Sequence, residues 1–128
     1  MKGLLHADDV ARAIELGADG AVVSNHGGRA LDDAPAALAA LSAIRTTVPR
    51  DFPLLVDGGI RSGADVFKAL ALGAQAVLIG RPQLYALAVA GAIGVAHMLR
   101  VLRDELEVTM VLAGCPTIDS ITASSLCR

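Results

Sequence analysis

The sequence has no tryptophan, one tyrosine and two phenylalanines in 128 residues. So small an aromatic supply excludes a stacking or carbohydrate-binding surface and leaves Ala, Leu, Val and Ile to build the core of a chain that is 54% hydrophobic. Cysteine is almost missing too. Cys115 and Cys127 stand in no CxxC and no Cys/His cluster, which argues against zinc and against a disulfide framework. Charge of one sign is lacking: the formal net charge is -2, and the eleven Lys and Arg are dispersed along the chain. That leaves no basic field for nucleic acid, and no such partner is expected. Residues 1–9 reach Asp8 and Asp9 before the apolar core of a signal peptide can form, so a cytoplasmic location is expected. The longest apolar stretch, 84–99, is short for a membrane span and contains His97; no transmembrane segment is expected, and the stretch should lie packed against protein. The length suits one domain, residues 1–128.

What the chain does contain is a repeat. Asp9-Val10, Ala13 and Leu16-Gly17-Ala18 recur 56 residues later as Asp65-Val66, Ala69 and Leu72-Gly73-Ala74. In each copy the apolar residues are three or four apart, as one face of a helix requires, and a glycine follows where a left-handed cap costs little. Apolar runs come next, Ala21-Val22-Val23 and Ala76 to Ile79, suited to parallel strands buried on both faces. Between the copies lies a third unit: Asp32 or Asp33 as cap, Pro35 in the first turn, Leu38, Leu41 and Ile44 as buried stripe, and the strand 53–56. Ser62 with Asp65 resembles a capping box, whereas His6 at the matching place in the first copy is a poorer cap. A long helix carrying Val95, Leu99, Leu102, Leu106 and Met110 on one stripe, with Arg103 and Glu107 as an outward pair, ends at Gly114 and Pro116. At the chain start there is room for a strand remnant at most. Alternating helices and strands call for an α/β fold with a parallel sheet, and the count of units and the length both match about half of a (β/α)8 barrel.

In such folds ligands gather at the carboxyl ends of the strands. Three successive strands run into Ser24-Asn25-His26-Gly27-Gly28-Arg29, Asp57-Gly58-Gly59-Ile60-Arg61 and Gly80-Arg81. The latter two suit a phosphate, since glycines let backbone donors approach an anion and arginine adds bidentate charge. Each loop alone also reads as ordinary turn chemistry; the pairing on adjacent strands favours phosphate. His26 has the chemistry of a base near neutral pH, and Arg29, three residues on, that of a carboxylate anchor. A lone histidine is more often structural, and these residues alone leave the reaction open.

The blocks Lys2-Gly3, 24–29, 57–61 and Gly80-Arg81-Pro82, with Arg103 to Glu107 and Gly114-Cys115, resemble the FMN-dependent 2-hydroxy-acid dehydrogenase and oxidase family along essentially the whole chain. That family includes glycolate oxidase and the lactate and mandelate dehydrogenases. The resemblance implies the C-terminal half of a TIM barrel that binds FMN and oxidises a small L-2-hydroxy acid. It implies that His26 takes the α-hydroxyl proton, Arg29 pairs with the substrate carboxylate, and Lys2 lies beside the flavin pyrimidine edge. Ser24 is then a flavin contact, and Asp57, Gly58, Gly59, Ile60, Arg61, Gly80 and Arg81 form the phosphate cradle.

The chain departs from the family at Ala30, where Gln is common, at His6, where Thr or Ser is common, and in having no counterpart of the first four strands. Those strands bring tyrosines and an aspartate that orients the base, so the chain should need that half from elsewhere or assemble as a homo-oligomer. A non-catalytic half-barrel that binds FMN or phosphate, or associates through its open sheet edges, is the alternative from another class. Barrels resembling inosine monophosphate dehydrogenase share the Asp-Gly-Gly-Ile segment but rely on a loop cysteine. Here both cysteines come after the last strand.

Overall fold

The computed structural model describes residues 1–126, so Cys127, considered above for metal and disulfide roles, lies outside the described residues. Four strands, β1 (Lys2–Leu4), β2 (Ala21–Ser24), β3 (Leu54–Asp57) and β4 (Ala76–Leu78), form one parallel sheet in chain order. Helices α1 (Ala7–Glu15), α2 (Ala37–Arg45) and α3 (Gly63–Ala71) connect them, and α4 (Arg81–Leu112) comes after β4. This is the expected α/β alternation. The chain start is more than a remnant: Met1 donates from its amino group to the Gly20 carbonyl at 2.8 Å and accepts from Val22 N–H at 2.7 Å, and β1 pairs with β2. The register slips between Lys2 and Leu4, a bulge on the open edge of the sheet.

Local chemistry explains where the helices begin. Ser62 accepts from Asp65 N–H at 3.2 Å while Asp65 accepts from Ser62 N–H at 3.1 Å, the reciprocal box expected for α3. His6 is a better cap than its residue type suggests, because its Nδ1 accepts from Asp8 N–H at 3.2 Å as a Ser or Asn oxygen would. α2 starts later than Asp32 or Asp33 would set it. Ala34 precedes proline and is disfavoured in helical geometry, and the Pro35 carbonyl accepts from Asn25 Nδ2 at 3.3 Å, so the chain turns into the helix only after Ala36.

Val10, Leu41 and Ile44 from the helices meet Val23, Leu54 and Val56 from the sheet, all fully buried. Burial alternates along β3, Val22 of β2 is only half-buried, and Ala76 of β4 is exposed, so the strands are not covered on both faces throughout. The helices cover one face of the sheet; the other is only partly covered within this chain.

α4 corrects a second expectation. It is helical except at Ala90 and Gly91, whose dihedrals break it. Most of 84–99 is exposed instead of packed against protein: Val89 is 85% and Ile93 80% exposed. Among the described residues, nothing lies beyond β4 to cover them. By length and composition alone α4 qualifies as a membrane span, yet its second half docks on α3. Leu102 is buried there, and Leu106 and Met110 join Phe67, Ala71, Cys115 and Ile121 in a separate apolar cluster. The outward pair is present, with Arg103 Nε donating to Glu107 Oε1 at 2.7 Å.

Candidate active site

Because β2, β3 and β4 run parallel, with Ser24 beside Asp57 and Asp57 beside Leu78, their terminal loops open on the same end of the sheet. One cleft of about 250 Å³ there is lined by Lys2, His26, Arg29, Asp57, Gly58, Gly59, Ile60, Arg61, Gly80 and Arg81 together with Gly27, Leu78, Pro82 and Leu84. Every residue expected to touch substrate or cofactor except Ser24 thus lines a single mouth. An adjoining hollow of about 290 Å³ shares Gly27, Gly58, Gly59, Ile60 and Arg81 and extends toward Asn25 and Leu38. Each is slightly below the roughly 300–1,000 Å³ typical of ligand pockets, as one wall of a larger site would be. A larger hollow of about 520 Å³ lies at the far end of α4, among Glu107, Met110, Val111 and Cys115, away from these cations.

Ser24 sits beneath the cleft, fully buried. Its Oγ donates to Asp57 Oδ2 at 2.7 Å and accepts from Lys2 Nζ at 3.2 Å and from His26 N–H at 3.1 Å. One hydrogen and two lone pairs are all a hydroxyl has. This side chain ties three facing residues to one another. Asp57 Oδ2 lies 2.8 Å from Lys2 Nζ and accepts from Ser24 Oγ, which fixes the Lys2 ammonium at the cleft floor. Burial alone would raise the Asp57 carboxyl, but hydrogen bonds from Lys2 and Ser24, with the charges of Lys2 and His26, outweigh it and hold the group below its ordinary value. Ile60 is 5% exposed with its side chain in the core, so only its backbone is available to a ligand.

The cations above this floor are unspent. Arg12, Arg100 and Arg103 each pair with a carboxylate on the outer surface, whereas Arg29, Arg61 and Arg81 make no ion pair among the described residues. The nearby acid Asp65 is occupied, its Oδ2 accepting from Arg61 N–H and Ser62 N–H at 3.1 Å and from Ser62 Oγ at 2.9 Å. α4 adds to the positive potential, because its first turn at Gly80-Arg81-Pro82 carries no side-chain cap and opens at the cleft. Gly58 and Gly59 take φ of 110° and 81°, and a Cβ at Gly59 would meet open space, leaving the backbone accessible to an anion. Phosphate chemistry therefore fits this wall, and a flavin mononucleotide, with an anionic tail and a ring whose reduced form carries charge, suits the Arg61/Arg81 end and Lys2 respectively.

Asn25 has a role that motif reading passed over. Its Oδ1 accepts from Gly27 N–H at 3.0 Å and its Nδ2 holds Pro35, shaping the 3-10 turn His26–Gly28 that presents the imidazole. The signal was there, since an Asn two residues before a glycine commonly closes such a turn through its side chain.

The family model described as FMN-dependent dehydrogenase matches residues 1–128. An L-lactate oxidase of Alicycliphilus denitrificans is 59% identical over 98% of the chain and 34% of its own length. A peroxisomal (S)-2-hydroxyacid oxidase of Arabidopsis thaliana is 55% identical over 95% of the chain and 34% of its own length. Among solved structures, a mandelate oxidase bound to a difluorinated hydroxyphenylpropionic acid superposes with a TM-score of 0.91 at 50% identity, covering 95% of this chain and 37% of that one. A chimera of (S)-mandelate dehydrogenase gives 0.92 at 45% identity, covering 97% and 35%. The chain spans about a third of the length of these relatives, a smaller share than the half a plain eight-stranded barrel would suggest.

Proposed function

The chain belongs to the FMN-dependent dehydrogenase family, and on that premise we propose that it supplies the C-terminal strands and most of the flavin wall of a (β/α)8 barrel that oxidises a small L-2-hydroxy acid to the 2-oxo acid. The observation that carries this reading is the convergence of His26 with three unpaired guanidiniums in one cleft. Arg29 binds the substrate carboxylate by a bidentate pair and so turns the α-carbon toward the flavin. His26 accepts the α-hydroxyl proton as the α-hydrogen departs. The chemistry FMN would supply, held by this wall, is that of a two-electron acceptor for the α-hydrogen and its electron pair. Arg61, Arg81 and the backbone of Gly58, Gly59, Ile60 and Gly80 hold the FMN phosphate, while Lys2, fixed by Asp57 and Ser24, places a positive charge beside the ring.

The C-terminal placement rests on the strand-end blocks 24–29, 57–61 and 80–82, which resemble that part of the family. Beyond α4 the described residues turn back through short 3-10 segments at Ile118–Ser120 and Ala123–Ser125, and Ile121 and Leu126 pack with the α3 cluster instead of adding a strand. The open edge of β1 and the exposed apolar side of α4 are where the remaining barrel, from the same gene product or another chain, would seat.

The test is segment exchange, in which this chain replaces the corresponding third of the Alicycliphilus denitrificans L-lactate oxidase. We expect a yellow enzyme whose flavin bleaches anaerobically with lactate, glycolate or mandelate, and a His26→Ala version that stays yellow but does not bleach. A colourless product, or bleaching that survives loss of His26, would reject the reading. A yellow, unbleachable enzyme with His26 intact would favour the alternative, a non-catalytic flavin-binding half-barrel.

A further inference from the structure

His26 is the one non-glycine residue with positive φ among the described residues, at 54°, and its ring lies over the β1 bulge. There Gly3 adopts φ of 95°, and a Cβ built on it would lie 2.6 Å from His26 Cε1, with Nδ1 at 3.5 Å and Nε2 at 3.6 Å. The ring therefore presents its Cε1 edge to the Gly3 backbone with its two nitrogens nearly equidistant on either side. A methyl group there would drive the whole imidazole back by roughly 0.8 Å before ordinary van der Waals contact is restored. The His26 backbone has little room to absorb that shift, because its N–H is held by the buried Ser24 hydroxyl and the next N–H by Asn25.

From this geometry we infer that Gly3 is a positioning residue for His26: the bulge in β1 removes side-chain volume at the place where the imidazole must rest, and so sets the ring's depth in the cleft. The same bulge separates Lys2, which turns to Asp57 and Ser24, from Leu4, which packs on the core. One irregularity thus sets both the floor charge and the seat of the base. The inference rests on the reading of His26 as the base.

Gly17 supplies the control, since it too has positive φ, 85°, but a Cβ there meets nothing within 4 Å. Gly17→Ala carries backbone strain alone, whereas Gly3→Ala carries strain and the collision. In this chain, urea unfolding should show Gly3→Ala raising the unfolded-to-folded ratio roughly tenfold more than Gly17→Ala does. Adding His26→Ala to Gly3→Ala should recover that excess. The His26 Hε1 resonance should move in Gly3→Ala while those of His6 and His97 stay in place.

In the segment-exchange enzyme, Gly3→Ala should lower kcat about 100-fold, with flavin content retained and KM within about twofold. A Gly3→Ala chain that fails to fold and is restored by removing the His26 ring supports the inference. One that stays unfolded without the ring overturns it, as does a Gly3→Ala enzyme with unchanged kcat. Full activity after His26→Ala would instead sink the assignment of the base, so the two failures are distinguishable.

Discussion

The two copies of the repeat share their helical spacing to the residue, yet they have become different objects. α1 faces outward to open surroundings, with Ala11 and Glu15 exposed; at the same offset α3 carries Phe67 and Ala71, both buried beneath α4 and the segment after it. Ala7 opens the first helix, but the second opens with Gly63, where a Cβ would collide with the Leu106 backbone nitrogen. At the far ends of the strands that come next, β2 delivers the Ser24-to-Arg29 turn and β4 delivers Gly80-Arg81. The scaffold is duplicated while the surroundings and the chemistry are not. The identity of each outward position is dictated by what covers it.

That contrast can be broken most strongly at the strand ends. In the segment-exchange enzyme, His26→Ala should lower kcat by about 10²–10⁴-fold with flavin retained, while Arg81→Ala should chiefly release flavin; stopped-flow bleaching and bound-flavin absorbance separate the two. A shared phenotype would mean that the two strand ends do one job.

The next largest difference lies at the helix starts. Gly63→Ala should cost roughly 1–3 kcal/mol in urea unfolding because the α3–α4 contact leaves no space for a methyl. Exchanging the matching residue, Ala7→Gly, should cost only about 0.5–1 kcal/mol, from backbone entropy.

A smaller effect concerns the caps. Ser62→Ala, which opens a reciprocal box, should cost about 1 kcal/mol. His6→Ala, which removes a single exposed acceptor, should cost less, and thermal melts would rank them.

The smallest is a dependence on acid. Burial would raise the Asp65 carboxyl, but hydrogen bonds from the Ser62 side chain and the Arg61 and Ser62 backbone, with the charge of Lys68, hold it below its ordinary value. A carboxyl depressed in the folded state contributes stability above its unfolded value of about 3.9 and loses it as pH falls through the folded value. Tm should therefore fall on acidification below about pH 4, and less steeply in Asp65→Asn than in the parent.

Much of this was legible in residues alone. The offset of 56 gives both helices, the glycine-arginine loops give the mouth, and Ser62 with Asp65 gives the firmer cap. What stayed hidden depends on contacts between segments distant in sequence. No local pattern says that the Ser24 hydroxyl joins Lys2, Asp57 and the His26 backbone, or that Asp57 steadies the Lys2 ammonium. His6 was undervalued because an imidazole nitrogen caps only when its ring is turned to the helix. The apolar run 84–99 looked like core because hydrophobicity reports a need for cover without saying which chain provides it.

The arginines that make no ion pair among the described residues, Arg61 and Arg81, and the open glycines at the strand ends are proposed to hold the phosphate of a flavin. Titrating the chain with FMN and with riboflavin, which lacks only that phosphate, tests this directly by flavin fluorescence. FMN is expected to bind roughly tenfold or more tightly than riboflavin, and the margin to vanish in Arg61→Ala/Arg81→Ala. Equal affinity for the two flavins, or a margin that survives loss of both arginines, would contradict the proposal.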